Sequence, residues 1–105
     1  MNKGSNSKPT DNKSNRGPLD GIRVVDWTIW QFGPVAAMML GDLGADVIKV
    51  EELTGEQGRA LFTVSGIDRS LPGGRSSYFE ANQRNKRSIA LDLKHPDGVA
   101  IVHKL

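Results

Sequence analysis

Apolar positions along the chain fall into short β-branched or alternating runs, interrupted once by a run of helical period. Ile22, Val24 and Val25, inside Gly21–Trp27, form a compact apolar run that ends on Asp26, and they predict a buried strand. Thr28–Phe32 reads as a loop. Gly33-Pro34 then starts a helix, with proline at the first helical position, where its missing N–H costs nothing. Val35, Met38, Met39 and Leu43 recur at i, i+3, i+4 and i+8, predicting one helix face packed on a sheet with both methionines as core filler. Gly44 is placed to end that helix as the left-handed residue just past its cap. Val47, Ile48 and Val50, inside Ala45–Glu51, make a second strand. Strand, loop, helix, glycine and strand compose a βαβ unit, with parallel strands and a right-handed crossover.

The pattern then breaks. Leu53–Gly74 holds Gly55, Gly58, Gly66, Pro72, Gly73 and Gly74 and reads as a long irregular stretch. A loop of that length is either functional or packs against something else. Ser76–Ala81 suggests a short helical turn. Arg87–Leu93 places Ile89, Leu91 and Leu93 on one side of a third strand, and a helix begins at Pro96 with Val99, Ile101, Val102 and Leu105 apolar. The class is therefore α/β. Three strands with so little helix cannot cover both faces of a parallel sheet, so the segment reads as the leading part of a longer protein.

Composition changes the picture mainly at the start of the chain. Residues 1–18 carry one apolar side chain, Met1, among Lys, Asn, Ser, Gly and Pro, and read as a disordered polar tail; residues 19–105 form the folded portion. Lys3, Lys8, Lys13 and Arg16 against Asp11 make the tail +3, so with a net charge of +2 for all 105 residues the remainder is −1. The basic balance belongs to the tail. Without interleaved aromatic residues it is a weak phosphate footprint, and no nucleic-acid partner is expected. It has neither the apolar core of a secretion signal nor the arginine-rich, acid-poor make-up of a mitochondrial presequence. No run approaches the roughly 20 apolar residues that span a bilayer. The absence of cysteine excludes disulfides and thiolate metal sites and fits a reducing cytoplasm.

Several motifs can be tested against plainer readings. The turn "WTIWQFGP" has one glycine, so the G-x-G-x-x-G of a nicotinamide site is missing, and no phosphate-binding G-x-x-x-x-G-K-[ST] occurs. Asp26, at the carboxyl end of the first strand, is either catalytic or a hydrogen-bonding anchor for the loop around Thr28, and the second role is favoured. Trp27 and Trp30 suit core or interface packing better than base stacking. His95 and His103 lack partners at metal-ligand spacing, so no metal is expected, and His95 reads as an exposed residue at the next helix start. Arg84, Lys86 and Arg87 in "NQRNKRS" form either a solvated charge run or a group that meets phosphates or carboxylates.

Three stretches taken together carry a more specific signal. "LDGIRVVDWT", "GPVAAMMLGDLGADVIKVE" and "NQRNKRSIALDLKHPDG", in that order, resemble the opening of the class III CoA-transferases, the group of formyl-CoA transferase, carnitine CoA-transferase and α-methylacyl-CoA racemase. The resemblance covers Leu19–Leu105. It implies a Rossmann-like βαβ core with parallel strands, incomplete here, as the N-terminal part of a larger fold. It implies that the loop before Gly33-Pro34 lies against coenzyme A, making Gln31 and Phe32 contacts; a helix N-terminus suits an anionic cofactor. Leu91, Asp92, Leu93 and Lys94 match the segment that meets the adenosine end of CoA, with Lys94 as a point charge for phosphate.

The same resemblance implies transfer of CoA between an acyl-CoA and a carboxylic acid. An aspartate beyond Leu105 attacks the thioester, giving a mixed anhydride and then an aspartyl-CoA thioester, and an acceptor carboxylate completes the exchange. No residue of this chain matches that aspartate, so no catalytic residue is assigned and the segment alone is expected to be inactive. CoA enters as substrate, with no permanently bound cofactor, and the full-length partner is a second copy in an interlocked homodimer. Two other readings stay open: an acyl-CoA racemase of the same group, with acid/base residues downstream, and a non-catalytic CoA-binding or interaction module. The chain departs from the common pattern at Glu52-Leu53, where some members carry Arg-Pro and where Glu52 would repel phosphate. It departs again at Gly55-Glu56-Gln57-Gly58-Arg59, in place of the usual G-D-x-x-R.

Overall fold

A computed structural model of the chain describes residues 16–105, and the expected polar tail lies outside the described residues as far as residue 15. Strand β1 (Arg23–Asp26) leads through a loop into helix α1 (Phe32–Asp42), which returns to strand β2 (Asp46–Glu51). A 3-10 turn (Gln57–Ala60) and two small hairpins follow, β3 (Thr63–Val64) with β4 (Ile67–Asp68) and β5 (Ser70–Leu71) with β6 (Arg75–Ser76). Helix α2 (Ser77–Ala81), strand β7 (Lys86–Ala90) and helix α3 (Pro96–Lys104) complete the order. The expected α/β class and parallel core are borne out: β2 lies between β1 and β7 and pairs in parallel with both, placing Val24 beside Val47 and Val50 beside Ile89. From Val47 to Glu51 every residue of β2 is buried, as a central strand covered on both faces requires.

Helix α1 differs from the sequence expectation in phase. It begins at Phe32, so Pro34 is its third residue; that position still lies among the first four N–H groups, which have no intrahelical partner. The buried face is Pro34, Ala37 and Met38, with Leu40 packed beside Ala37, Ala45, Val47, Leu19 and Val24. Met39, 57% exposed, and Leu43 turn outward, so Met39 is not core filler. The helix meets the sheet through its small residues. A β-carbon on Gly41 would sit 3.1 Å from Asn85 and 3.4 Å from the Val47 side chain, which shows how closely the two layers approach. Replacing Met39 with alanine is accordingly expected to change the unfolding free energy by less than about 0.5 kcal/mol in a urea titration.

The end of α1 follows its residues. Gly44 has φ +102° just past the Leu43 cap; its N–H donates to Gly41 O at 3.0 Å and that of Ala45 to Leu40 O at 3.1 Å, the paired bonds of a Schellman close. The stretch expected to be irregular holds structure of its own. Ser65 and Gly66 have φ of +52° and +75°, the two left-handed positions of a tight hairpin turn, and the second hairpin closes through a three-residue loop, Pro72-Gly73-Gly74, with both glycines at positive φ. Strand β7 stops at Ala90, three residues before its expected end, and this frees Leu91–Lys94 to turn at the carboxyl edge of the sheet.

Candidate functional site

The carboxyl ends of β1 and β2 meet a bed of buried charge that Lys86 joins from the start of β7. Asp26 ends β1, Glu51 ends β2, and Lys49 lies beside Asp26 in register. Lys86, from the start of β7, reaches across the sheet to donate to Asp26 Oδ2, Pro34 O and Gln83 Oε1, each at 2.8 Å. Lys49 pairs with Glu56 and donates to Thr28 O at 3.0 Å. The side chains of the Lys86–Asp26 pair are 2% and 0% exposed, and those of Lys49–Glu56 2% and 1%. Arg59 forks onto Glu51 with two bonds of 2.7 Å while stacking 4.2 Å over the Phe79 ring. Three carboxylates thus face three cations. Desolvating such ions costs several kcal/mol each, and here every described buried polar side-chain atom has a partner.

Burial by itself would raise the Asp26 carboxyl, but hydrogen bonds from Lys86 and Thr28 outweigh it and hold the group below its ordinary value. The Arg59 fork does the same for Glu51 against burial, aided by the Glu56 N–H. Asp26 is therefore a fixed acceptor for its loop. The anchoring role favoured from the sequence is what the structure contains, since Asp26 Oδ1 accepts both the N–H (3.0 Å) and the hydroxyl of Thr28. The basic run at the entry to β7 meets carboxylates of its own chain: Arg84 forks onto Asp42, Lys86 pairs with Asp26, and Arg87 with Asp46.

The loop from β1 to α1 is held in an unusual shape. Trp30 has φ +70°, a left-handed conformation rare for a bulky residue. A β-carbon on Gly33 would lie 2.4 Å from Thr28 Cβ, so only glycine lets the loop fold back onto the helix start. No side chain caps α1, so of its first turn the Phe32 and Gly33 N–H groups are left without a capping side chain, Pro34 having no N–H and that of Val35 donating to Gln31 O. Both residues are exposed, Phe32 to 94%.

Leu91, Asp92, Leu93 and Lys94 stand together elsewhere, lining a cleft of about 680 Å³ with Trp27 and Glu52–Thr54. Its floor is the turn after β7, in which Asp92 Oδ1 accepts the Lys94 N–H at 2.9 Å. Gln31 and Phe32 do not line this cleft, so four of the six sequence candidates share one site and two lie outside it. Trp27, 67% exposed, is neither core nor buried packing; its place in the cleft was missed from sequence, and the sign was its position directly after the strand-ending acid. Glu52 shares the cleft with Lys94. His95 caps α3, its Nδ1 accepting the Asp97 N–H, and no group of three or more metal-ligating side chains occurs among the described residues. Nor is any helix among them long and apolar enough to cross a membrane.

Parallel strands with polar groups and a cleft at their carboxyl ends define an open α/β domain of the kind that binds ligands at that edge. Residues 19–105 match the model of CoA-transferase family III, and the chain belongs to that family. It is 43% identical to succinate–glutarate CoA-transferase of Agrobacterium fabrum over 100 residues, covering 91% of this chain and 24% of that protein. Against succinyl-CoA:glutarate CoA-transferase of Homo sapiens it is 39% identical over 99 residues, 93% of this chain and 21% of that one. The crystal structure of a CAIB/BAIF family protein from Brucella suis superposes with a TM-score of 0.70 at 36% identity, covering 85% of this chain and 23% of the other. The chain spans less than a quarter of the length of these relatives.

Proposed function

We propose that the full protein is a CoA-transferase moving CoA between an acyl-CoA and a carboxylic acid, and that this segment supplies part of the CoA-binding site. The observation that carries the reading is the cleft at the strand ends, in which Leu91–Lys94 meet Trp27 inside a segment whose whole folded length matches the family. The relatives from Agrobacterium fabrum and Homo sapiens are named for CoA transfer, which favours transfer over racemisation. Lys94 is exposed at the cleft and offers a cation to a phosphate. Gln31, Phe32 and the uncapped start of α1 form a second contact with the anionic cofactor.

The chemistry lies on an aspartate outside this segment. Its carboxylate attacks the thioester carbonyl and expels the CoA thiolate, leaving a mixed anhydride. The thiolate then attacks the aspartyl carbonyl, releasing the donor acid and forming an aspartyl-CoA thioester. The acceptor carboxylate repeats the sequence in reverse. On this reading CoA is a substrate rather than a resident cofactor, the full protein is an interlocked homodimer, and it works in the cytoplasm. Calorimetric titration of the full chain with CoA tests the site: Lys94→Ala is expected to weaken binding about five- to tenfold, as loss of a charge-assisted contact would, and Gln31→Ala somewhat less. Unchanged affinity in both variants would remove the assignment.

A further inference from the structure

The proposed CoA loop is gripped from beneath by a buried ion pair, Glu56 with Lys49. Glu56 is buried, and its two carboxylate oxygens hold different parts of the same loop. Oε1 accepts the N–H of Trp30 at 2.9 Å, the residue in the left-handed conformation. Oε2 pairs with Lys49, whose ammonium in turn donates to Thr28 O at 3.0 Å. The grip itself is anchored: the Glu56 N–H donates to Glu51 Oε1 at 2.9 Å, and Gln83 Nε2 donates to Glu56 Oε2 at 3.3 Å. Gly58 makes room for it, since a β-carbon there would lie 2.8 Å from Glu56 Oε1. One carboxylate therefore fixes the peptides of Thr28 and Trp30 on either side of Ile29. The residues that follow directly, Gln31 and Phe32, have no buried anchor of their own.

We propose that Glu56 is a positioning residue for the cofactor loop, acting with Lys49 to hold Trp30 left-handed and so to aim Gln31, Phe32 and the first amides of α1 at CoA. The proposal rests on the functional reading above. It has a specific chemical signature, because the site needs two acceptor oxygens. A carboxamide has only one. In Glu56→Gln, either the amide nitrogen faces the Lys49 ammonium or it faces the Trp30 N–H, and one of the two grips is lost. Glu56→Asp keeps both acceptors and the charge, set back by one methylene.

The test measures CoA binding by the full chain, with hydrogen exchange at the Trp30 amide and the unfolding midpoint recorded for each variant. Glu56→Gln is expected to raise the Kd for CoA about tenfold in protein shown to be folded, since a small misplacement of a contact loop is costly. It should also speed exchange at Trp30 and raise KM for the acyl-CoA more than it lowers kcat. Glu56→Asp is expected to recover part of the affinity, and it carries the test if the glutamine variant does not fold. A role confined to stability would lower the midpoint and leave the Kd of the folded protein unchanged, and that result overturns the proposal while leaving the CoA site standing. Failure of the wild-type chain to bind CoA would overturn the functional reading and this proposal together.

Discussion

Lys86→Met is expected to destabilise the fold by about 3–5 kcal/mol, the usual cost of stripping one partner from a buried ion pair. Lys86 enters its site from the first residue of β7 and donates to three oxygens at 2.8 Å, from Asp26, Pro34 and Gln83. Methionine fills comparable space but donates nothing. The Asp26 carboxylate then stays buried with Thr28 as its remaining donor among the described residues, and the Pro34 and Gln83 oxygens each lose the bond from Lys86. Most of the loss is the uncompensated charge rather than the pair itself, which gives the experiment its internal check. Adding Asp26→Asn removes that charge, so the double variant should lose clearly less than the two single losses added together. A cost below about 1 kcal/mol for Lys86→Met in urea unfolding would mean that the pair is not charged in the fold.

The pH dependence has a definite sign. Asp26 and Glu51 are held below their ordinary values of 3.8 and 4.5. Their stabilisation is therefore fully present above those values, and it disappears as pH falls through the lower folded-state values. Wild-type stability should decline below about pH 4, and in Lys86→Met the Asp26 share of that decline should shrink or reverse, because protonating a buried carboxylate that has lost its cation relieves the uncompensated charge.

These pairs also mark where sequence reading stopped. β1 and β2 were legible as short apolar runs, β7 by its alternation, α3 by its proline start and the close of α1 in Gly44. β1 nevertheless lies at the sheet edge, with Val25 and the preceding Ile22 exposed rather than buried. The buried face of α1 was not. A periodicity count weights Met39 and Leu43, whereas the helix packs through Ala37 and Gly41, whose value lies in being small. The hairpins between Thr63 and Ser76 have strands of two residues, too short for alternation to register, and only Ser65-Gly66 and Pro72-Gly73-Gly74 signal them. The charge bed was hidden for a different reason. Asp26 and Lys86 are sixty positions apart, so no local pattern joins them, and Lys86 sits between arginines whose exposed surroundings suit a solvated run. Glu56 belongs to a glycine-rich stretch with no period at all. Of the proposed site, Leu91–Lys94 came from resemblance alone. Their shared cleft depends on the early end of β7, a boundary that alternating Ile89, Leu91 and Leu93 conceal.

The second large effect is expected at Gly98, in the first turn of α3. A β-carbon there would stand 2.0 Å from Asp92 O and 2.8 Å from Asp92 C. These are backbone atoms, which cannot swing aside as a flexible side chain would. Either α3 lifts from the sheet edge or the Leu91–Lys94 turn moves. Gly98→Ala is therefore expected to cost about 3 kcal/mol, at the upper end for overpacking, even though alanine is the better helix former by about 1 kcal/mol. The turn is the more exposed of the two to distortion, because beyond the Leu91 N–H donating to Glu51 O at 2.9 Å its bonds are few: Asp92 Oδ1 accepting the Lys94 N–H, and Asp92 O accepting the His95 N–H at 3.1 Å. If it moves, Lys94 leaves its place beside Trp27, and CoA affinity should fall in protein that is still folded. Gly66→Ala is the matched comparison, since it also replaces a glycine but has nothing within 4 Å of the added carbon; its penalty comes only from its φ of +75° and should leave CoA binding untouched. Equal CoA affinity in folded Gly98→Ala and wild type would separate the turn from the cofactor site, whereas a loss confined to Gly98→Ala would tie the footing of α3 to the geometry of the cleft.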